Sequence, residues 1–235
     1  SAAGRWSKWE RNSQGDFSQD VDCASWRGNP DSSDFVLGNH ELRVAVKFVL
    51  ASGSPRRRDF LSKAGYDFRM EPSEVEEWPP GKCPFHELCV SNAVLKARDV
   101  LGKHADAVVL GADTLVGLEG EVMGKPRDIE DAVCMLERLS GQRHEVCTGV
   151  CLCCGTEEYT FFEVTWVQFR DFGSSVIRDY MDRVSVMDKA GAYAIQEHGE
   201  MLVEGVEGSY DNVVGLPMNQ VKAGLKRFGV TPSSD

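Results

Sequence analysis

A short apolar run, a Ser/Gly turn and the start of a helix follow one another near residue 50, and this succession constrains the fold more than any other stretch. Residues 46–50 are mostly apolar and end at the turn, which predicts a buried strand. Ser54 is well placed as the N-cap, because its hydroxyl oxygen can accept a backbone N–H bond. Pro55 suits the first helical position, where its missing N–H costs nothing. We therefore predict a helix that starts at Pro55 and ends before Gly65.

Two arginines, Arg56 and Arg57, occupy the first turn of this predicted helix. The partial positive charge of a helix N-terminus makes cations slightly unfavourable there, whereas its unpaired N–H groups favour an anion. Arginine is the side chain best suited to bidentate recognition of phosphate. This stretch alone leaves two interpretations open, which are a phosphate ligand facing one or both arginines and a solvated basic turn.

The charge balance restricts the partners of the chain. Its 235 residues include 26 basic and 37 acidic residues, for a net charge of −11, which argues against a broad nucleic-acid or membrane-binding surface. A polyphosphate ligand would therefore need a locally basic pocket and a divalent cation. No apolar run approaches the roughly 18 to 20 residues of a membrane span, and no signal-peptide pattern is visible. We expect a soluble, cytoplasmic protein.

The eight cysteines are too dilute for a disulfide framework. Cys151 and Cys154 form a C-x-x-C, but the partner cluster or following helix that a metal or redox site needs is missing. In a strand over residues 145–154, Cys147, Cys151 and Cys153 lie on one face. The pattern favours thiols packed as small hydrophobic side chains.

Residues 1–44 show neither strand nor helix periodicity, and we interpret them as an N-terminal extension, partly disordered or draped over the core. Strand and helix patterns alternate from residue 45 to residue 230, which predicts one α/β domain with a mixed sheet, helices on its flanks and a cleft between two lobes. Strands are predicted near residues 67–70, 107–110, 115–118, 121–123, 145–154, 159–170, 192–196 and 201–206, and further helices near 85–101, 129–139, 174–183 and 217–228. The apolar positions of the third helix are Ile129, Ala132, Val133, Leu136 and Leu139.

A buried strand over residues 107–110 leads into Gly111-Ala112-Asp113-Thr114, so Asp113 is predicted at the carboxyl end of a strand. In open α/β sheets, that edge is where ligands bind. Lys96 lies beside the apolar stripe of helix 85–101, a position that by itself is typical of a solvated lysine with a buried stem.

Charged residues recur in loops that follow strands or open helices, as metal-assisted phosphoryl chemistry requires. Cations neutralise phosphate oxygens, while carboxylates hold a divalent ion and orient a water molecule. These residues are Arg56, Arg57, Glu76, Glu77, Asp113, Lys125, Asp188 and Lys189. The sequence has no P-loop, no G-x-G-x-x-G after a strand, no H-E-x-x-H and no G-x-S-x-G, which argues against those nucleotide-binding, zinc and serine-hydrolase classes.

With these residues assembled, the chain resembles the Maf family of nucleoside triphosphate pyrophosphatases over about residues 47–228. Eight motifs follow one another in the family's order: Ser52-Gly53-Ser54-Pro55-Arg56-Arg57, Ser73-Glu74-Val75-Glu76-Glu77, Gly111-Ala112-Asp113-Thr114, Gly124-Lys125-Pro126-Arg127, Leu139-Ser140-Gly141-Gln142, Asp188-Lys189-Ala190-Gly191-Ala192-Tyr193, Ile195-Gln196, and Gly208-Ser209-Tyr210 with Val214-Gly215-Leu216-Pro217. Asn92 and Asp211-Asn212 depart from the family pattern, which affects the expected local packing rather than the chemistry.

The resemblance implies hydrolysis between the α and β phosphates, giving a nucleoside monophosphate and pyrophosphate with Mg²⁺ or Mn²⁺. It implies a curved mixed sheet like that of inosine triphosphate pyrophosphatases, and a homodimer. By the match, Asp113 is the proton acceptor and a metal ligand, Glu76 helps to hold the metal, and the phosphate chain is bound by Ser52, Arg57, Lys96 and Lys125. Asp188 is either a further metal ligand or a structural carboxylate.

Three residues, Arg56, Thr114 and Gln196, match the specificity positions of the dTTP/UTP pyrophosphatase branch, which implies pyrimidine substrates, modified ones included. The branch that acts on 7-methyl-GTP typically carries Trp where Arg56 stands. The amide of Gln196 can pair with the O=C–N–H edge of a pyrimidine in both directions. The alternatives are a pyrophosphatase acting on 7-methyl-GTP or a deaminated purine nucleotide, and a regulator of cell division that binds nucleotide without hydrolysing it.

Overall fold

The computed structural model describes residues 47–233, so the predicted N-terminal extension over residues 1–44 lies outside the described residues. Seven strands form one sheet in the order β2-β1-β3-β5-β6-β7, with β4 paired to β3. The strands are β1 (Phe48–Leu50), β2 (Arg69–Met70), β3 (Val108–Leu118), β4 (Glu121–Met123), β5 (Arg143–Cys154), β6 (Glu157–Phe169) and β7 (Val203–Glu207). The helices are α1 (Pro55–Lys63), α2 (Phe85–Leu101), α3 (Ile129–Leu139), α4 (Ser174–Met181), α5 (Tyr210–Val214) and α6 (Met218–Arg227).

The sheet is mixed, as predicted. Strand β1 runs parallel to β2 and β3, while β3, β5, β6 and β7 pair in antiparallel fashion. The long β5–β6 hairpin turns at Gly155, which has a φ of 56°. Cys147, Cys151 and Cys153 are buried free thiols, so the prediction of thiols packed in the core is confirmed.

Asp113 lies in the middle of β3 rather than beyond its end, which corrects the predicted short strand. Pairing with β5 continues through this residue, where Asp113 faces Gly149, and keeps the backbone extended to Leu118. On its other edge, β3 pairs with β1 only as far as Leu110 and with β4 only from Val116. Between these two partners, no strand within residues 47–233 pairs with this edge of β3, so the edge is open there, and Asp113 lies in the open stretch.

Helix α2 packs closely on one face of the sheet. A Cβ atom on Gly111 would lie 2.3 Å from the carbonyl oxygen of Ala93, and one on Gly149 would lie 2.3 Å from the carbonyl carbon of Cys89. Only glycine therefore permits this approach of helix to strand. This close packing brings Asn92 and Lys96 of α2 within hydrogen-bond distance of Asp113 on the open edge of β3.

The other face carries two apolar clusters. At one end of the sheet, α1 and α6 bury residues such as Leu61 and Leu225 against Leu152. At the other end, α3 and α4 bury Leu136 and Ile177 against the start of β5 and the end of β6. The open edge of β3 lies between them.

Several predicted element boundaries are wrong. Residues 192–196 form no strand, because Gly191 and Ala192 have φ values of 67° and 60° and close a 3₁₀ turn instead. Ile129 is 58% exposed, since it is the first residue of α3 and precedes the buried stripe. Helix α5 was not predicted from the sequence. Its N-cap is Ser209, whose hydroxyl oxygen accepts a bond from the backbone N–H of Asn212 at 3.2 Å. No helix within residues 47–233 has the length and apolar character needed to cross a bilayer.

Candidate active site

A cavity of about 360 Å³ opens at the uncovered edge of β3. Its walls come from the turn after β1, the start of α1, the acidic loop before α2, the loop after β4, the segment around residues 188–196 and the turn before α6. Eight of the nine predicted site residues line it: Ser52, Arg56, Arg57, Lys96, Asp113, Thr114, Lys125 and Gln196. The ninth, Glu76, is exposed and does not belong to the lining, whereas its neighbour Glu77 does.

The predicted start of α1 is confirmed and positions the two arginines. Ser54 is the N-cap and accepts a 3.5 Å bond from the backbone N–H of Arg57, with Pro55 at the first helical position. Because α1 begins directly at the cavity, Arg56 and Arg57 project from its first turn toward the same space.

The guanidinium group of Arg57 is held by three acceptors. Nε donates to the carbonyl oxygen of Gly215 at 2.8 Å, Nη1 donates to Ser52 Oγ at 3.2 Å, and Nη2 donates to Thr114 Oγ1 at 2.9 Å. Since arginine has five N–H donors, two remain for a ligand. Burial lowers the pKa of Arg57, and the negative charge of Asp113 opposes that effect. Arg57 is therefore a fixed cation at the wall of the cavity.

The hydroxyl groups around Arg57 have assigned directions. Ser52 Oγ accepts from both Arg57 and the backbone N–H of Ser54, so its own proton is available to a ligand. Thr148 donates its proton to the carbonyl oxygen of Asn212 at 3.0 Å and therefore accepts from Thr114, 2.9 Å away. Thr114 thus positions Arg57 and keeps no free proton.

Asp113 is 5% exposed and is bound on both carboxylate oxygens. Lys96 Nζ lies 2.7 Å from Oδ1, and Asn92 Nδ2 donates to Oδ2 at 3.2 Å. Asn92 also accepts a 2.7 Å bond from the backbone N–H of Trp78. This buried asparagine, which departs from the family pattern, therefore ties α2 and the acidic loop to the carboxylate of Asp113. Its place in an otherwise apolar helical stripe was the sequence signal for such a role.

Lys96 is shared by two carboxylates. Its Nζ is 2.8 Å from Glu77 Oε1 as well as 2.7 Å from Asp113 Oδ1, and its side chain is 14% exposed. The sequence placed Glu77 among the acidic loop residues but gave it no role of its own. Lys125 lines the cavity from the loop after β4, is exposed, and has no ion pair within residues 47–233.

Gln196 and Arg56 lie on the cavity wall formed with the segment around residues 188–196. Arg56 Nη1 is 3.8 Å from Asp188 Oδ2 and 3.6 Å from Glu197 Oε1. Asp188 also lies 2.8 Å from Lys189, which lowers its pKa against the opposing effect of burial. These contacts favour the structural alternative for Asp188.

No group of three or more His, Cys, Asp or Glu side chains within residues 47–233 is arranged to hold a metal ion. Mg²⁺, however, is commonly bound through one or two carboxylates together with substrate phosphates. Asp113 and Glu77 converge on one cation, the ammonium group of Lys96. Their oxygens are the donor type that Mg²⁺ or Mn²⁺ requires, so this pair fits a substrate-dependent metal site.

The comparisons with known proteins cover the same part of the chain. A family model described as "Maf-like protein" matches residues 47–228. A dTTP/UTP pyrophosphatase of Akkermansia muciniphila is 47% identical over 181 residues, which are 77% of this chain and 96% of that protein. A dTTP/UTP pyrophosphatase of Acetivibrio thermocellus is 44% identical over 196 residues, covering 79% and 97% of the two chains. The solved structure of the Staphylococcus aureus Ham1 protein overlaps with a TM-score of 0.43 at 17% identity, covering 77% of this chain and 99% of that chain.

Proposed function

The chain belongs to the Maf family, as its motifs predicted, and we propose that it is a nucleoside triphosphate pyrophosphatase that hydrolyses dTTP and UTP to the monophosphate and pyrophosphate. One observation carries the proposal. In a chain with a net charge of −11, a buried carboxylate, that of Asp113, shares one cavity with five cationic side chains, which are Arg56, Arg57, Lys96, Lys125 and Lys189. Such a site suits a polyanion that is cleaved by an activated water molecule.

In the proposed complex, the cationic side chains that line the cavity bind the triphosphate. Arg57 offers two free N–H groups and Ser52 a free O–H, both fixed by bonds within the protein. Lys125, without an ion pair in the described residues, is free to turn toward phosphate oxygens in the cavity. Donors held in place before the substrate arrives lose little entropy on binding, which favours the transition state.

Asp113 takes a proton from the attacking water. The water oxygen forms a bond to the α phosphorus, the bond from that phosphorus to the oxygen bridging to the β phosphate breaks, and pyrophosphate leaves. Lys96 and Asn92 each bond one carboxylate oxygen, which fixes the plane of the carboxylate toward the cavity. The remaining lone pairs of Asp113 can accept the proton.

A divalent cation belongs to the proposal, with Asp113 and Glu77 as the residues that would hold it. When bound, it would neutralise charge on the phosphate chain. We include Glu77 because it lines the cavity and contacts Lys96, whereas Glu76, the residue that the resemblance implied, lies outside the lining.

The base lies toward Gln196 and Arg56 in this proposal. The amide of Gln196 offers a paired acceptor and donor, which matches the O=C–N–H edge of uracil and thymine. A homodimer in the cytoplasm, without nucleic acid or membrane, is also part of the proposal and follows from the resemblance and the acidic charge. Sedimentation velocity of the full chain tests the dimer.

A panel of nucleoside triphosphates tests the function. We expect pyrophosphate release from dTTP and UTP with Mg²⁺, weaker release from 7-methyl-GTP, and loss of release when the metal is chelated. Calorimetry run in parallel identifies nucleotide binding without turnover. Binding with no pyrophosphate released from any nucleotide would overturn the proposal in favour of a non-hydrolysing regulator.

A further inference from the structure

Glu197 lies beside Gln196 and outside the lining of the cavity. Its Oε1 atom accepts a bond from Nε2 of Gln196 at 3.2 Å. An ionised carboxylate has acceptors only, so the nitrogen of the Gln196 amide must face Glu197, and its carbonyl oxygen must point away. The contact therefore assigns a direction to an amide whose two ends are otherwise nearly equivalent in shape.

Glu197 is itself held from two sides. Arg56 Nη1 is 3.6 Å from Oε1, and Lys189 Nζ is 3.6 Å from Oε2. Lys189 is only 4% exposed and is fixed by the carbonyl oxygen of Ser185 and by Asp188. Because a cation lies near each of its oxygens, the carboxylate of Glu197 is held in place, and it can therefore fix the orientation of the Gln196 amide that bonds it.

We infer that Glu197 positions the Gln196 amide so that the site accepts uracil and thymine and disfavours cytosine. The inference rests on the proposed function. One amide N–H bonds Glu197, while the carbonyl oxygen and the second N–H stay available to the base. That pair complements the N3–H donor and the C4=O acceptor of uracil and thymine.

Cytosine presents the reverse pattern at the same positions, with an acceptor at N3 and a donor at N4. To pair with it, the Gln196 amide must turn by about 180°. Its carbonyl oxygen would then occupy the position of Nε2, which is 3.2 Å from the carboxylate oxygen of Glu197. Two acceptors at that distance repel each other, so Glu197 penalises the orientation that cytosine needs.

Matched substrates test the inference, because UTP and CTP differ only along this edge, and so do dTTP and 5-methyl-dCTP. We expect the wild type to favour the first member of each pair in kcat/KM by about tenfold or more. In Glu197→Gln the new amide can face Gln196 with either end, and in Glu197→Ala the acceptor is gone. Both variants should narrow the ratio by about tenfold, chiefly because kcat/KM for CTP and 5-methyl-dCTP rises.

Glu200→Gln is the control, since the Glu200 side chain is 76% exposed and its single ion pair within residues 47–233 is with His198. It should keep the wild-type ratio. A ratio unchanged in both Glu197 variants, or an equal loss for both members of a pair, overturns the inference. The inference is also overturned if the wild type hydrolyses both members of each pair with equal kcat/KM. That result would not contradict the proposed pyrophosphatase activity. If no nucleotide releases pyrophosphate, the proposed function fails, and calorimetric affinities for UMP and CMP in the same variants decide the inference.

Discussion

The ammonium group of Lys96 lies 2.7 Å from Oδ1 of Asp113, and the two side chains are 14% and 7% exposed. A buried ion pair gains little net stability, because desolvating both charges offsets their attraction. We therefore explain this ion pair by its role in the active site rather than by a contribution to stability. Lys96 fixes the carboxylate of Asp113 and at the same time carries positive charge to the wall that would face the phosphates.

Asp113→Asn should lower kcat for dTTP and UTP by about 100- to 10,000-fold, because the amide cannot accept the proton of the attacking water. The substitution keeps the size of the side chain, and Lys96 keeps Glu77 as a partner. Pyrophosphate release measures the effect, and thermal unfolding checks the fold. Asp106→Asn is the control, since Asp106 is exposed and pairs with Lys47 at the surface. Turnover near the wild-type level in Asp113→Asn would exclude this residue as the base.

Glu77→Gln should raise the Mg²⁺ concentration needed for half-maximal activity by at least about tenfold, because one carboxylate near the phosphates is lost. Glu76→Gln is the matched variant and should behave like the wild type, as its side chain is exposed outside the cavity lining. A Mg²⁺ titration of pyrophosphate release distinguishes them. The larger effect in Glu76→Gln would restore the assignment that the resemblance implied.

Local signals predicted the parts of the fold that depend on neighbouring residues. The cap at Ser54 and the bounds of α2 are correct, because N-caps, Pro55 and a long apolar stripe act within a few residues. Residues 192–196 were wrongly predicted as a strand, because their apolar pattern hides the positive φ values of Gly191 and Ala192. Glycine at position 191 permits a positive φ without requiring one, and the residue type of Ala192 gives no signal of its positive φ.

The site was predicted less completely than the fold. The motifs assigned Asp113 and Lys96 to one site, and the contact between the two side chains depends on how closely α2 approaches β3. Glu76 and Glu77 are adjacent in an irregular loop without periodicity, so no pattern shows which of them faces the cavity. That choice is made by Lys96, which contacts Glu77 across the fold.

Arg57→Lys should lower kcat/KM for UTP by about 100-fold, because an ammonium group cannot keep three directed bonds and still present two donors to a phosphate. Arg58→Lys is the matched control at the next position. Arg58 is exposed and bonds only the adjacent Asp59 among the described side chains. Steady-state kinetics with UTP compare the two, and equal kinetics would show that the geometry around Arg57 is unimportant.

Gly111→Ala should destabilise the protein by about 1 to 3 kcal/mol or more, because the new methyl group would meet the backbone of α2 at 2.3 Å. Helix α2 must then move away from β3, which separates Lys96 and Asn92 from Asp113 and lowers turnover. Gly205→Ala is the control in β7, where nothing lies within 4 Å of the new Cβ. Urea unfolding and pyrophosphate release measure both effects. Wild-type stability in Gly111→Ala would contradict the close packing.

His144 makes stability depend on pH. It is fully buried, its Nε2 lies 2.9 Å from the hydroxyl of Tyr193, and its ring packs edge-on against Phe169. Burial lowers its pKa from 6.5 to about 4. Between these values the unfolded chain binds a proton at this residue and the folded chain does not.

The free energy of unfolding should therefore decrease as the pH falls from 6.5 toward 4, by up to about 3 kcal/mol from His144 alone. Above pH 6.5 this contribution is complete and constant. His144→Gln removes the titrating group, so its stability should change less with pH across this window than that of the wild type. His198→Asn is the control, because His198 is 45% exposed and asparagine tolerates its φ of 55°. Urea unfolding at several pH values between 7.5 and 4.5 gives the slopes, and equal slopes for wild type and His144→Gln would refute the assignment.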